Sequence, residues 1–403
     1  MKKTISMFSK QIFGVHYESI GKSIAACMIV YASILAGEIR IKVAPFILFL
    51  TATAFTIGVM WQALNSSRNA ENLTGVLMLP FQNKSFIFSY VGTLSCYTIV
   101  TKTALLLSLL FAVKDWDILQ IAVTLVCACN ACVVTAVLYS RLKRSRIFAV
   151  LWIAVIIATI LWVRSADIVF CIAFISLLFG LFCLYRTDAY QFYHSAQASV
   201  VVKHHSKKGD VFTYLFRYLL AHKNYLVNTV GLCGIACFLP LLIGSFKGLN
   251  MIPFGFAILS LNTPICILLS CDPDLEQVLR ILPRQKLKFY VSYCLFIFLF
   301  NFSVCSIFLI SWWGIKHYFD IWAIVTAAIF SLQSAILSVM LEWFIPIRNW
   351  KIESDLWHHP RKYIVPVIML ILAVTVSTFP AFTIPLLAFV LLESLTLMLK
   401  IRR

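Results

Sequence analysis

The chain is 403 residues long, 61% hydrophobic and only 12% charged, with a mean hydropathy of +0.92. Soluble domains carry about a quarter charged residues, so this composition excludes an ordinary water-soluble enzyme or binding domain. The net charge of +18, from 34 Lys and Arg against 16 Asp and Glu, fits either a nucleic-acid binder or a membrane protein with basic cytoplasmic loops.

In chain order, an amphipathic stretch comes first, with Ile5, Phe8, Ile12 and Val15 on one helical stripe. Such a helix lies in the membrane interface with its basic residues toward headgroups. Twelve apolar segments follow, at 24–37, 43–64, 86–112, 117–139, 147–163, 167–184, 226–245, 251–270, 289–311, 319–345, 363–379 and 382–399. The first needs flanking residues up to Ile20 and Ile41 to reach the ~20 residues of a span. A second amphipathic stretch, with Phe212, Leu215, Phe216 and Leu219 on one stripe, precedes the seventh segment. The longest interval between segments, 185–225, is too short for a folded catalytic or nucleotide-binding domain.

Placing the N-terminus in the cytoplasm puts 27 of the 34 Lys and Arg on the inner side. The outer side holds Arg40, Lys42, Lys114, Arg164, Lys247 and Lys316, and Lys102 falls inside a span. Such a bias is the positive-inside signature, so both termini are expected inside and nucleic acid is not an expected partner. Eight tryptophans, Trp162, Trp313 and Trp322 among them, sit near span ends, where an amphipathic ring suits the interface.

Several local signals carry no function. Ile24-Ala25-Ala26-Cys27 looks like a lipoprotein cleavage box, but Lys10, His16, Glu18 and Lys22 leave no apolar signal core before it. Gly21-Lys22-Ser23 ends like a phosphate loop, yet His16 stands where the first glycine belongs. His205 and Asp210 have acyltransferase-like spacing inside a solvated basic run. The sequons at Asn65, Asn72 and Asn83 fall on the expected cytoplasmic side. Almost all of the 13 cysteines lie in spans, and on a helix Cys127 points away from Cys129, so packing is expected rather than metal binding or disulfides. The histidines show no ligand spacing with a carboxylate.

The informative feature is an internal repeat. Residues 79–90 read Leu-Pro-Phe-Gln-Asn-Lys-Ser-Phe-Ile-Phe-Ser-Tyr, and residues 282–293 read Leu-Pro-Arg-Gln-Lys-Leu-Lys-Phe-Tyr-Val-Ser-Tyr. Six of the twelve positions are identical, at an offset of 203. The same offset pairs Asn130 with Gln333, both amides within the fourth span of a half. The expected fold is therefore all-α: a polytopic membrane protein of about twelve transmembrane helices in two parallel six-helix repeats, each preceded by an amphipathic interfacial helix. Residues 1–190 form the first half, 191–210 a basic cytoplasmic linker and 211–403 the second half.

The Leu-Pro stretch follows the second span of each half on the inner side. Proline suits the first turn of a helix and restricts the residue before it. Ahead of it lie Glu71 in one half and Asp272, Asp274 and Glu276 in the other, beside Leu73, Val76, Leu77 and Leu275, Val278, Leu279. Two readings fit this short helix with an apolar face and a few acids. It caps the bundle, or it docks a cytoplasmic partner, and one copy per half suits a two-fold partner.

At these residues the chain resembles the membrane-spanning subunits of type-2 ABC exporters, in which the loop between spans two and three carries the coupling helix that touches the ATPase. The resemblance implies that role for Glu71, Leu79, Pro80, Gln82, Asp272, Asp274, Glu276, Leu282, Pro283 and Gln285. It also implies a cytoplasmic ABC ATPase as partner, in two copies, which binds the ATP and Mg; the chain itself holds no cofactor and is not an enzyme. The fusion of two six-span halves departs from the usual half-size permease.

Within the bilayer, Lys102 lies sixteen residues after Phe86, about 24 Å along a helix. There it snorkels to the outer interface or, sharing a face with Ser95 and Thr98, lines a pathway. Asn130 and Gln333 join helices by hydrogen bonds or line that pathway. Glu342 and Glu393 are expected near inner span ends, leaving no carboxylate at mid-span. The reading that follows is a permease subunit of an ATP-driven exporter in the bacterial cytoplasmic membrane, moving a peptide, lipid or drug-like amphiphile. A secondary transporter of the major facilitator kind is the alternative. It would show a Gly-x-x-x-Asp-Arg-type loop after span two, which residues 65–78 lack, and an intramembrane carboxylate.

Overall fold

The computed structural model of the chain describes residues 2–13, 18–36, 43–65, 73, 77, 82–141, 146–163, 165–192, 211–221, 223–244, 250–260, 263–267, 286–317, 320–345, 361 and 364–402. Among the described residues 92% are helical and none is in a strand. The chain divides into two compact units, Met1–Val202 and Lys203–Arg403.

In the first unit the helices are α1 (Lys2–Phe13), α2 (Glu18–Ala36), α3 (Pro45–Leu64), α4 (Asn83–Val113), α5 (Ile118–Arg141), α6 (Arg146–Trp162) and α7 (Ala166–Tyr185). Proline opens α3, where its missing N–H costs nothing. α4 widens into a π turn at Ile99–Thr103. The second unit holds α8 (Val211–Ala221), α9 (Lys223–Ile243), α10 (Ile252–Leu259), α11 (Thr263–Cys266), α12 (Lys286–Lys316), α13 (Ile321–Phe344), α14 (Ile364–Thr378) and α15 (Thr383–Arg402). Asp320 caps α13, its carboxylate accepting from the Trp322 N–H at 2.9 Å.

One helix is the core of each unit. α5 packs against α3 and α7, and α13 against α12 and α15. Both are built for it. Ala128, Ala131, Cys132 and Ala136 on α5, and Ala327, Ser331, Ser334 and Ala335 on α13, are buried small residues that let neighbouring backbones approach closely where no hydrophobic force drives helices together. The closest approaches use glycine. A Cβ added to Gly180 of α7 would stand 2.7 Å from Val133 Cγ1 on α5, and one added to Gly255 of α10 would stand 2.7 Å from the Phe308 ring on α12.

Among the described residues seven helices are long and apolar enough to cross a bilayer: α3, α4, α5, α7, α12, α13 and the 3₁₀-capped α15. The outward faces are apolar, with Met28, Ile29, Ile175, Ile371 and Leu395 all exposed, as lipid-facing surfaces must be. Trp162, Trp313 and Trp322 are exposed at helix ends, the position of an interfacial belt. The chain is a multi-pass membrane protein. Of the other five expected spans, four are helical at α2, α6, α9 and α14, where the apolar described stretches are Ile20–Ala36, Leu151–Trp162, Asn228–Leu241 and Ile364–Thr378, and the fifth falls on α10 and α11.

The two amphipathic helices pack on protein through part of their apolar stripe. Phe8 of α1 is buried against Phe86 and Tyr90 of α4, with ring centroids 5.3 and 5.5 Å away. Leu215 and Leu219 of α8 are buried in their own unit, and Phe212 meets Phe296 of α12 edge-on at 5.5 Å. Ile5 and Phe216 remain exposed and keep a membrane-facing edge.

Gly255→Ala should lower the melting temperature of the detergent-purified protein, because the new methyl overpacks a buried ring at a cost of about 1–3 kcal/mol. Gly92→Ala, where nothing lies within 4 Å, should leave it unchanged or raised by about 0.5–1 kcal/mol of helix propensity.

Candidate functional site

The second unit carries a helix break with a definite chemical cause. α10 ends at Leu259 with Ser260 as its C-cap, and α11 begins at Thr263. Pro264 has no N–H, so the Ser260 carbonyl four residues before it loses its helical donor. In hydrocarbon that carbonyl has no water to turn to. Two side chains supply donors instead: Ser334 Oγ of α13 at 2.7 Å and Asn301 Nδ2 of α12 at 3.1 Å. The Asn301 amide also reaches Ser334 Oγ at 3.4 Å. On the far side of the break the Tyr293 hydroxyl donates to the Ile265 carbonyl at 2.8 Å.

Ser334 belongs to a buried polar stripe. Ser331, Ser334, Ser338 and Glu342 recur at helical spacing along one face of α13, and all four are buried. Ser331 Oγ lies 3.7 Å from Cys305 Sγ. At the end of the stripe Glu342 pairs with Arg361, Oε1 to Nη2, at 2.6 Å, with both side chains almost fully covered. Glu342 was expected at an interface; it is instead a buried ion-pair member. Asn301 Oδ1 and Ser338 Oγ are buried with no hydrogen-bond partner among the described residues.

Gln333, one residue off the stripe, turns to a different helix. Its Nε2 donates to Glu393 Oε2 at 2.7 Å. This corrects the expectation that Glu393 lies near a span end. It is the eleventh of the 20 residues of α15, about 15 Å from the start of that helix, and Gln333 is likewise central in α13. A charged side chain at mid-bilayer costs about 2.5–3.5 kcal/mol on insertion scales, so this position is an expensive one. Glu393 is half-buried, on the face of α15 that also carries the buried Leu386, Val390 and Leu397.

A cleft of about 370 Å³ opens in the same unit at the N-terminal ends of α10, α13 and α15. Asn250, Phe256, Asp320, Trp322, Thr326 and Ile384 line it, and its volume is in the range of small-molecule sites.

The pathway candidates of the first unit are more modest. Asn130 is buried on α5 beside a cavity of about 20 Å³ that Thr53, Thr159 and Ser176 also line; a space of that size takes about one water. Asn130 Oδ1 has no partner among the described residues. Lys102 sits half-buried in the π turn of α4. A π turn shifts helical register, so the face expected to join Ser95, Thr98 and Lys102 is interrupted. Thr98 is buried and faces Met60 Sδ at 3.9 Å and Cys132 Sγ at 3.4 Å.

Of the residues expected to couple to an ATPase, Glu71, Leu79, Pro80, Asp272, Asp274, Glu276, Leu282, Pro283 and Gln285 lie outside the described residues. Gln82 is described and exposed, its carbonyl accepting the Phe86 N–H at 3.0 Å as α4 begins. Nearby Leu73 is buried and Leu77 packs against the same cluster. The next two residues of the repeat, Asn83 and Lys84, tie α4 to the end of α7 and the residues after it. The Asn83 amide donates to the Thr187 carbonyl at 3.3 Å and accepts the Ala189 N–H at 2.8 Å. Lys84 hydrogen-bonds the Tyr185 hydroxyl and lies 3.9 Å from its ring centroid.

Among the described residues no group of three His, Cys, Asp or Glu side chains could hold a metal ion, and the cysteines are free. Cys127 and Cys132 are buried while Cys129 is exposed, the divergence that helical spacing requires.

Asn301→Leu should cost about 1–2 kcal/mol in unfolding experiments, the price of a carbonyl left one donor short in a low-dielectric interior. In a Pro264→Ala background, where residue 264 regains an N–H for Ser260, that cost should shrink. Arg361→Met should destabilise by about 3–5 kcal/mol through the uncompensated Glu342 charge, with Glu342→Gln in the double variant recovering much of it.

Compared with protein-family models, with curated protein sequences and with solved structures, the chain matches none.

Proposed function

We propose that this chain is the membrane-spanning permease subunit of an ATP-driven ABC exporter that moves an amphiphile across the bacterial cytoplasmic membrane. One observation carries the reading: the Leu-Pro segments at Leu79 and Leu282 lead into helices of identical length and spacing. Asn83–Val113 and Lys286–Lys316 each span 31 residues, 203 apart at both ends. The following helices, Ile118–Arg141 and Ile321–Phe344, keep the same 203-residue offset, and the last helix of each unit has 20 residues. This regularity supports two six-span repeats with parallel orientation. The twelve-span count then adds α2, α6, α9, α14 and the pair α10 and α11 to the seven, and the basic inner loops support cytoplasmic termini.

In this reading two ATPase subunits, which bind the ATP and Mg, press on the Leu-Pro segments. At about 46 Å by helical rise, α4 and α12 exceed the ~30 Å hydrocarbon core, so one end of each stands clear of it. The Leu-Pro end of α4 is held to α7 by Asn83 and Lys84. A displacement there therefore moves two helices together.

A second reading, a secondary active transporter of the major facilitator kind, is favoured by one specific observation: Glu393 supplies the mid-span carboxylate such a transporter needs.

A tagged pull-down from native membranes in mild detergent should recover ATP-hydrolysing activity, and Leu79→Asp or Leu282→Asp should abolish the recovery. No ATPase under several detergents, with transport stopped by an uncoupler but not by ATP depletion, would establish the secondary transporter instead.

A further inference from the structure

We propose that Glu393 and Gln333 are the recognition point for a primary ammonium group, so that the amphiphile this protein handles is a cationic one. That it is transported rests on the exporter reading; that it binds rests on the pair alone.

The chemistry of the pair is one-sided. Gln333 Nε2 is spent on Glu393 Oε2 at 2.7 Å. The atoms that remain are acceptors: the second carboxylate oxygen, and Gln333 Oε1 on the same amide carbon as the committed nitrogen. Gln333 is 1% exposed, and its Oε1 has no hydrogen-bond partner among the described residues. A buried acceptor without a donor is costly, and more so with no water at hand. Two acceptors and one negative charge are complemented by a group with a positive charge and several N–H donors. An ammonium has both, with three donors and no acceptor.

Among the described residues nothing charged performs this task. The helices packed against α15 are α12 and α13, with the turn Pro380–Phe382 at its start. Glu342 of α13 is committed to Arg361. Tyr293 of α12 donates to Ile265 and Lys316 to the Gly244 carbonyl. Tyr290 stacks edge-on with Trp343, and Cys305 faces Ser331. Cys294 and Lys288 complete the titratable groups described on α12 and add no bond to Glu393. The turn carries no titratable side chain. On α15 itself Lys400 lies over the Phe344 ring at 4.8 Å, two turns from Glu393.

Access and shape agree with an amphiphile. Glu393 is only half-buried. Thr326, which lines the 370 Å³ cleft, is seven residues before Gln333, hence on the same face of α13 and about 10 Å along it. An apolar chain of about 10 Å matches the rise along α13 from Gln333 to the level of that cleft, whose walls include Phe256, Trp322 and Ile384.

The test is calorimetric titration of the full chain, purified in dodecyl maltoside, with octylamine, octyltrimethylammonium and octanol. Octylamine should bind the wild-type protein at least about tenfold more tightly than either analogue, one of which lacks N–H donors and the other charge. Glu393→Gln keeps the shape and the bond to Gln333; it should erase the preference while leaving octanol binding unchanged. Gln333→Leu should weaken octylamine severalfold. Equal binding of octylamine and octyltrimethylammonium by the wild-type protein overturns the proposal without any variant. So does an undiminished preference in Glu393→Gln, or a variant that loses pH-dependent proton uptake yet binds octylamine as before, which would make the pair a proton site. The titration needs no ATPase, so its failure and the failure of the pull-down are separate results.

Discussion

A backbone carbonyl inside hydrocarbon has only protein to bond with, and much of the second unit is arranged around one such group. Pro264 removes the donor that Ser260 would otherwise have, and Asn301 and Ser334 are drawn to the same point from two different helices. Once they converge, α10, α12 and α13 are held at one level by bonds that no water competes for. The polar stripe of α13 follows from that, because a helix that must present Ser334 to the break also presents Ser331, Ser338 and Glu342 on the same face.

The first unit meets the same constraint differently. Its buried hydroxyls mostly turn back onto their own helix: Thr53 to Phe49, Thr56 to Ala52, Thr93 to Ser89 and Thr135 to Ala131. A hydroxyl satisfied by the carbonyl one turn earlier needs nothing from its neighbours, so the first unit is packed by small residues and shape more than by interhelical bonds. Among its described residues, α4 departs from regular helix at the π turn that carries Lys102. The two units thus share the lengths and spacing of two consecutive helices, α4–α5 and α12–α13, but not polar chemistry, and the pair Gln333 with Glu393 is in the second.

That asymmetry bears on function. The coupling residues inferred from the Leu-Pro repeat come one set per half, which suits a two-fold motor. The eleventh residue of α7, the place Glu393 takes in α15, is Ser176, a hydroxyl that lines the small cavity beside Asn130 with Thr53 and Thr159. In the proposed exporter, symmetric drive and asymmetric recognition would be compatible, because a substrate need not be symmetric even where its motor is.

The residue order by itself determined the membrane class, the placement of the apolar segments, the amphipathic stretches and the repeat. All of these are local properties: hydropathy, charge and helical period are written in neighbouring residues. It also marked Gln333 as a polar residue in an apolar helix. What it did not contain was the partner. Counting from the apolar boundaries put Glu393 near an end, and nothing local joined it to Gln333, 60 residues away. Asn301 and Ser260, 41 residues apart, were likewise invisible as a pair, although Pro264 inside an expected span was a sign that some carbonyl there needed help. The tertiary structure decided these because hydrogen bonding between helices depends on which faces the packing of small residues brings together, and that packing is a property of the folded bundle.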